Sequence, residues 1–170
     1  MQLPVYAFVL TLLFKNPKWY FYGWVACFFL ALAHVSYFSN LLVLMTDERG
    51  ADYIVGRGED GTKGGFRIDF ILYSAMPVLV GSWVIFKKQI QVSSLYMSLL
   101  NLYLCANGVW MLCMYASFTN RIAYLSWFIY PIVLIYPFLN VDLGANRYRQ
   151  FSRVMLYHLA FTLFMSFINY

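Results

Sequence analysis

Charge is what this chain lacks most. Only 11% of its 170 residues are Asp, Glu, Lys or Arg, against roughly 25% in an ordinary soluble domain. That scarcity, with 62% hydrophobic residues gathered in long blocks, excludes a soluble globular fold. Cysteine is scarce too. Cys27, Cys105 and Cys113 all lie inside apolar blocks, and an odd number without ligand spacing excludes a disulfide framework or a zinc site. No metal or other cofactor is therefore expected. The net charge of +5 comes without a basic, aromatic-interleaved stripe clear of the apolar blocks, which excludes nucleic acid as a partner. The opening "MQLPVYAFVLTLLF" has no positive charge ahead of its apolar run, so it is not a signal peptide.

What is present is a series of apolar blocks, at 1–14, 19–45, 69–86, 93–116, 122–139 and 154–170. They do not alternate in the ~10-residue units of a membrane barrel. Helices satisfy their own backbone in lipid, so the expected fold is all-α, a polytopic transmembrane helical bundle forming a single domain over 1–170. The first block is shorter than the ~20 residues a spanning helix needs. The expectation is therefore about five full transmembrane helices plus a truncated first one, as in the C-terminal fragment of a longer protein.

Loop charge alternates. The odd-numbered loops hold Lys15, Lys18, Lys87, Lys88, Arg147, Arg149 and Arg153 against Asp142 alone. The positive-inside bias puts those loops in the cytoplasm and the glycine-rich stretch within 46–68 outside. That stretch, "VGRGEDGTKGGFRIDF", is no phosphate-binding Walker loop: Gly61 is followed by Thr62 and only then Lys63, and no strand precedes it. Its glycines suit an extracytoplasmic lip able to order around a substrate. The aromatic residues near the block ends fit interfacial belts.

Polar groups inside apolar blocks ask for a reason. Asn101 and Asn107 suit interhelical hydrogen bonds, and His158 suits packing near the cytoplasmic end. His34 has two readings, an interhelical hydrogen bond or a proton relay. Pro77, Pro131 and Pro137 lie within blocks and can kink them, the last two around a cavity. On the outer side, Arg67 and Asp69 mark the re-entry of the long loop, Arg121 sits beside Asn120, and Arg49 and Arg57 lie in the loop. Guanidinium groups grip phosphate oxygens with paired donors; the competing reading is solvated anchors beside lipid headgroups.

The segments "GGFRIDFILYSAMPVLVG", "LNLYLCANGVWMLCMYASF" and "NRIAYLSWFIYPIVLIYPFL" together resemble the C-terminal half of the EpsG family, Wzy-like bacterial membrane proteins of exopolysaccharide and O-antigen assembly. The resemblance covers 64–140. It implies a glycosyltransferase-type polymerase that joins undecaprenyl-pyrophosphate-linked oligosaccharide repeats at the outer face of the bacterial cytoplasmic membrane. Neither nucleotide sugar nor metal is implied, and a chain-length regulator is a natural partner. On that reading Arg67, Arg121, Arg49 and Arg57, with Asn120, bind substrate pyrophosphate. Asp69 accepts the acceptor proton or orients Arg67, and His34 is the second candidate base. A ligase that transfers finished polymer needs the same arginines. A transporter or structural subunit is the non-enzymatic alternative, and a transporter would show helices broken near the midplane.

Overall fold

The computed structural model describes residues 14–33, 66–87, 92–115 and 119–169, together with Val9 and Thr11; the side chains of 87, 119–121, 168 and 169 lie outside that description. Among the described residues every regular element is helical. These are α1 (Pro17–Leu32), α2 (Ile68–Ser82) continuing into a π-helical turn (Trp83–Lys87), α3 (Ser94–Leu112), α4 (Thr119–Asn140) and α5 (Arg147–Asn169).

Local signals explain the starts. Asn16 caps α1 by accepting from the Lys18 backbone N–H at 3.1 Å, and Pro17 takes the first helical position, where its missing donor costs nothing. Ser93 caps α3 by accepting from the Tyr96 N–H at 3.2 Å. Ahead of α5, Gly144 sits at φ 81°, a left-handed turn that glycine adopts without strain. Its N–H donates to Asp142 Oδ1 at 3.0 Å. Pro77, Pro131 and Pro137 stay within continuous helices, so none of them ends its element.

Among the described residues three stretches are long and apolar enough to cross a membrane: Ile68–Phe86, Ser94–Leu112 and Ile122–Asn140, each of 19 residues. At 1.5 Å per residue each is about 28 Å long, close to the ~30 Å hydrocarbon core. These helices mark a membrane protein. The described α1 has 16 residues. α5 has 23 but begins at Arg147, ahead of the apolar block, so Arg147, Arg149 and Arg153 stand on its first turns. Arginine is a good helix former with a stem that can lie along apolar surface, so a basic stretch extends a helix as readily as it ends one.

The helices alternate in direction. At one end the π-turn meets the start of α1 through Phe21 and Phe86, 5.1 Å apart. There Tyr136 near the end of α4 shares a 2.8 Å hydrogen bond with Ser93, and Phe138 contacts Phe151 of α5 at 5.5 Å. At the opposite end Ala31, Ile71, Met111, Met114 and Ala123 form one buried cluster. Lys15, Lys18, Arg147, Arg149 and Arg153 therefore gather at the first end and Arg67 stands at the second.

α3 lies at the centre, with Tyr96, Leu100, Tyr103, Leu104 and Met111 fully buried. Lipid tails are as apolar as leucine, so burial alone does not drive helices together in a membrane; close packing and hydrogen bonds do. Small residues supply the closeness. A Cβ on Gly81 of α2 would lie 2.9 Å from Leu100, and one on Gly108 of α3 would lie 3.3 Å from Cys27 Sγ. Ala123 and Ser126 of α4 are fully buried.

Because Leu100 is itself enclosed, Gly81→Val should overpack the α2–α3 contact and destabilise the bundle by about 1–3 kcal/mol. A melting temperature in detergent equal to wild type would show that this contact is not tight.

Candidate functional site

Arg67 is the residue from which α2 starts. Its carbonyl accepts the first helical bond, from Ile71 N–H at 3.2 Å. Its own N–H donates to Met114 Sδ, just beyond α3, at 3.1 Å. Among the described residues no side chain caps this helix; instead Asp69 places a negative charge in the first turn, where the helix dipole favours it. The Arg67 guanidinium turns onto that carboxylate. Nε donates to Oδ1 at 3.0 Å and Nη2 to Oδ2 at 2.6 Å, a two-pronged ion pair. The Arg67 side chain is 51% exposed and that of Asp69 17%.

An aromatic ladder holds the guanidinium in place. Arg67 lies over the Phe70 ring, 4.4 Å from its centre, in cation–π geometry. Phe70 stacks on Trp127 of α4 at 5.5 Å, and Tyr124 meets Trp127 edge-on at 5.8 Å. The site is thus built from the start of α2, the end of α3 and the first turns of α4. The hydrogen bond from Arg67 to Asp69 raises the guanidinium further above its ordinary range, so this cation is permanent. Half-exposed and already oriented, it can receive a phosphate or carboxylate oxygen from outside.

Asn120 and Arg121 occupy the first turn of α4, at the same end of the bundle as Arg67. The backbone therefore brings these sequence-predicted positions to one rim, with their side chains outside the described set. Arg49, Arg57 and His34 also lie outside the described residues, as does most of the loop at 46–68. Among the described residues no three His, Cys, Asp or Glu side chains cluster as metal ligands would.

Three polar contacts across the bundle follow no motif. Asn107, fully buried in α3, accepts from Trp24 Nε1 of α1 at 2.8 Å, the interhelical bond expected of an intramembrane asparagine. Asn101 Oδ1 has no hydrogen-bond partner among the described residues. His158 does more than pack at a helix end. Its ring lies midway along α5, 4.5 Å from Tyr73 of α2, and either ring nitrogen is 3.3 Å from the hydroxyl of Tyr130 on α4. Tyr103 of α3 donates to the Ser74 carbonyl of α2 at 2.6 Å. The helical positions of these aromatic residues were readable, but their meeting depends on which faces the helices turn to one another.

No family model, curated protein or solved structure matches this chain.

Since the Arg67–Asp69 pair is partly exposed, Asp69→Asn should cost no more than about 1 kcal/mol of stability. It should also release the guanidinium, so that phenylglyoxal modifies Arg67 faster than in wild type when followed by peptide mass spectrometry. Unchanged reactivity would mean that Asp69 does not hold Arg67.

Proposed function

We propose that this chain is the membrane part of a polysaccharide polymerase acting on lipid-pyrophosphate-linked oligosaccharides at the outer face of a bacterial cytoplasmic membrane. The resemblance of 64–140 to the EpsG family supplies the substrate class. The observation that carries the reading is the Arg67–Asp69 pair, oriented on its aromatic ladder at the rim where α4 also brings Arg121. In this reading α1 and α5 cross the membrane as well. The end bearing Lys15, Lys18, Arg147, Arg149 and Arg153 then faces the cytoplasm, following the positive-inside bias, and Arg67 faces out.

The chemistry asked of such a rim is modest. An acceptor sugar hydroxyl attacks the anomeric carbon of the growing chain. The bond from that carbon to the pyrophosphate oxygen breaks, and the pyrophosphate leaves with the electron pair. Fixed cations at the departing oxygens stabilise the charge as it develops, and holding donor and acceptor in line supplies the rest. Arg67 and Arg121 take the pyrophosphate, helped by Asn120 and by Arg49 or Arg57 from the loop. Both Asp69 oxygens are engaged by Arg67 in the resting site. A pyrophosphate that draws the guanidinium away frees that carboxylate to accept the hydroxyl proton, with His34 as the alternative acceptor. Substrate binding and base release are then one event.

The test is polymer formation in cells. Arg67→Ala and Arg121→Ala should each abolish the ladder of polymer lengths while the protein still reaches the membrane. Normal-length polymer from both variants would overturn the assignment. One-step transfer of finished polymer by wild type, with no ladder, would favour a ligase.

A further inference from the structure

A second feature lies away from the Arg67 rim. Between α1 and α3 runs a groove of about 450 Å³, within the roughly 300–1,000 Å³ of typical ligand sites. Trp19, Tyr20, Trp24 and Cys27 line it from α1, and Cys105 and Leu112 are among its lining residues on α3. Gly23 lies along its wall, where a Cβ would meet nothing within 4 Å.

Two of the groove's polar tips are already used. The Tyr20 hydroxyl donates to the Phe14 carbonyl at 2.8 Å, and Trp24 Nε1 donates to Asn107. A sugar or peptide backbone would leave its own polar groups unpaired there, at a cost of about 1–3 kcal/mol for each buried group. A hydrocarbon chain would not. From Trp19 to Cys27 the wall rises about 12 Å, close to the ~15 Å hydrocarbon depth of a single leaflet, half of the full core. At the Phe14 end of the groove stand Lys15 and Lys18, both exposed. No acidic residue occupies the first turn of α1. Trp19, 71% exposed, stands beside Lys18 as an interfacial residue would.

We propose that this groove holds one acyl chain of an anionic glycerophospholipid, with the phosphate headgroup at Lys15 and Lys18. The site sits at the bundle end opposite Arg67 and rests on the groove and its lysines, whatever the Arg67 rim binds. A carrier lipid held by its pyrophosphate at Arg67 would enter from the other end, so the two sites are separable by headgroup position.

The experiment uses the full chain in nanodiscs of mixed phosphatidylglycerol and phosphatidylcholine, with retained lipid read by native mass spectrometry. Wild type should retain phosphatidylglycerol preferentially. Changing Lys15→Gln and Lys18→Gln should reduce that preference about fivefold for each lysine, with some lipid still retained. Gly23→Leu should fill the groove and remove the retained lipid at an unchanged melting temperature. The lysine variants change exposed side chains, so they test the site even if Gly23→Leu fails to fold. Retention without headgroup preference in wild type, or retention untouched by all of these changes, would overturn the proposal. So would preferential capture of an isoprenoid phosphate added to the same nanodiscs. Loss of a dimer in Gly23→Leu would overturn it in favour of a second copy of the chain as the occupant.

Discussion

Everything in this bundle leans on the burial of α3. In a medium that offers no hydrogen bonds, a helix carrying asparagines and tyrosine hydroxyls gains stability where its neighbours answer them. Trp24 answers Asn107 from α1, and the Ser74 carbonyl answers Tyr103 from α2. Each bond is worth only about 0.6–2 kcal/mol in a membrane. Their larger effect is on register, because sliding α1 or α2 by one turn (about 5.4 Å) would strand a buried polar atom. Glycine then sets the depth of approach. Gly81 admits Leu100, and Gly108 admits Cys27. Register and depth together decide what stands at each end.

That alignment gives the Arg67 rim its form. Arg67 could have been one more solvated interfacial arginine, and sequence left that reading open. Three contacts narrow its freedom: its amide on Met114, its guanidinium on Asp69 and its plane over Phe70. The Phe70 ring is positioned in turn by Trp127. A long flexible side chain normally loses rotamer entropy when it binds. Here part of that entropy is lost during folding, so a ligand meets a cation already in position, which favours tight and oriented capture.

Legibility from sequence divided along a physical line. Backbone demands in lipid are local, so the helical class and the stretches around 69–86, 93–116 and 122–139 could be read from apolar runs alone. Charge bias in loops is local as well. The lysines around the start of α1 and the arginines on the first turns of α5 do share one end, with Arg67 at the other. The start of α5 was harder to read, because Arg147, Arg149 and Arg153 look like a loop when hydropathy is the only signal, yet all three suit a helix entering an interface. Harder still were contacts that depend on helix rotation. Nothing local pairs Tyr130 with His158 or sets Trp24 against Asn107. The groove between α1 and α3 is equally non-local, since Gly23 reads as a mild helix weakness until the facing surface of α3 is known.

The two ends of the molecule therefore pose opposite electrostatic problems and solve them with different side chains. At the Arg67 end a half-exposed cation is paired with a neighbouring carboxylate through Nε and Nη2, so its charge is balanced at rest while its outer edge stays open to an anion. A pyrophosphate, with more charge than a single carboxylate, can then compete for the whole group. At the other end Lys15 and Lys18 have no acid in the first turn of α1 beside them, and lysine is a point charge that tolerates any anionic headgroup. Arginine with a fixed partner selects among ligands, whereas bare lysine attracts anionic surface in general. If both proposals hold, the chain anchors at one face and discriminates at the other.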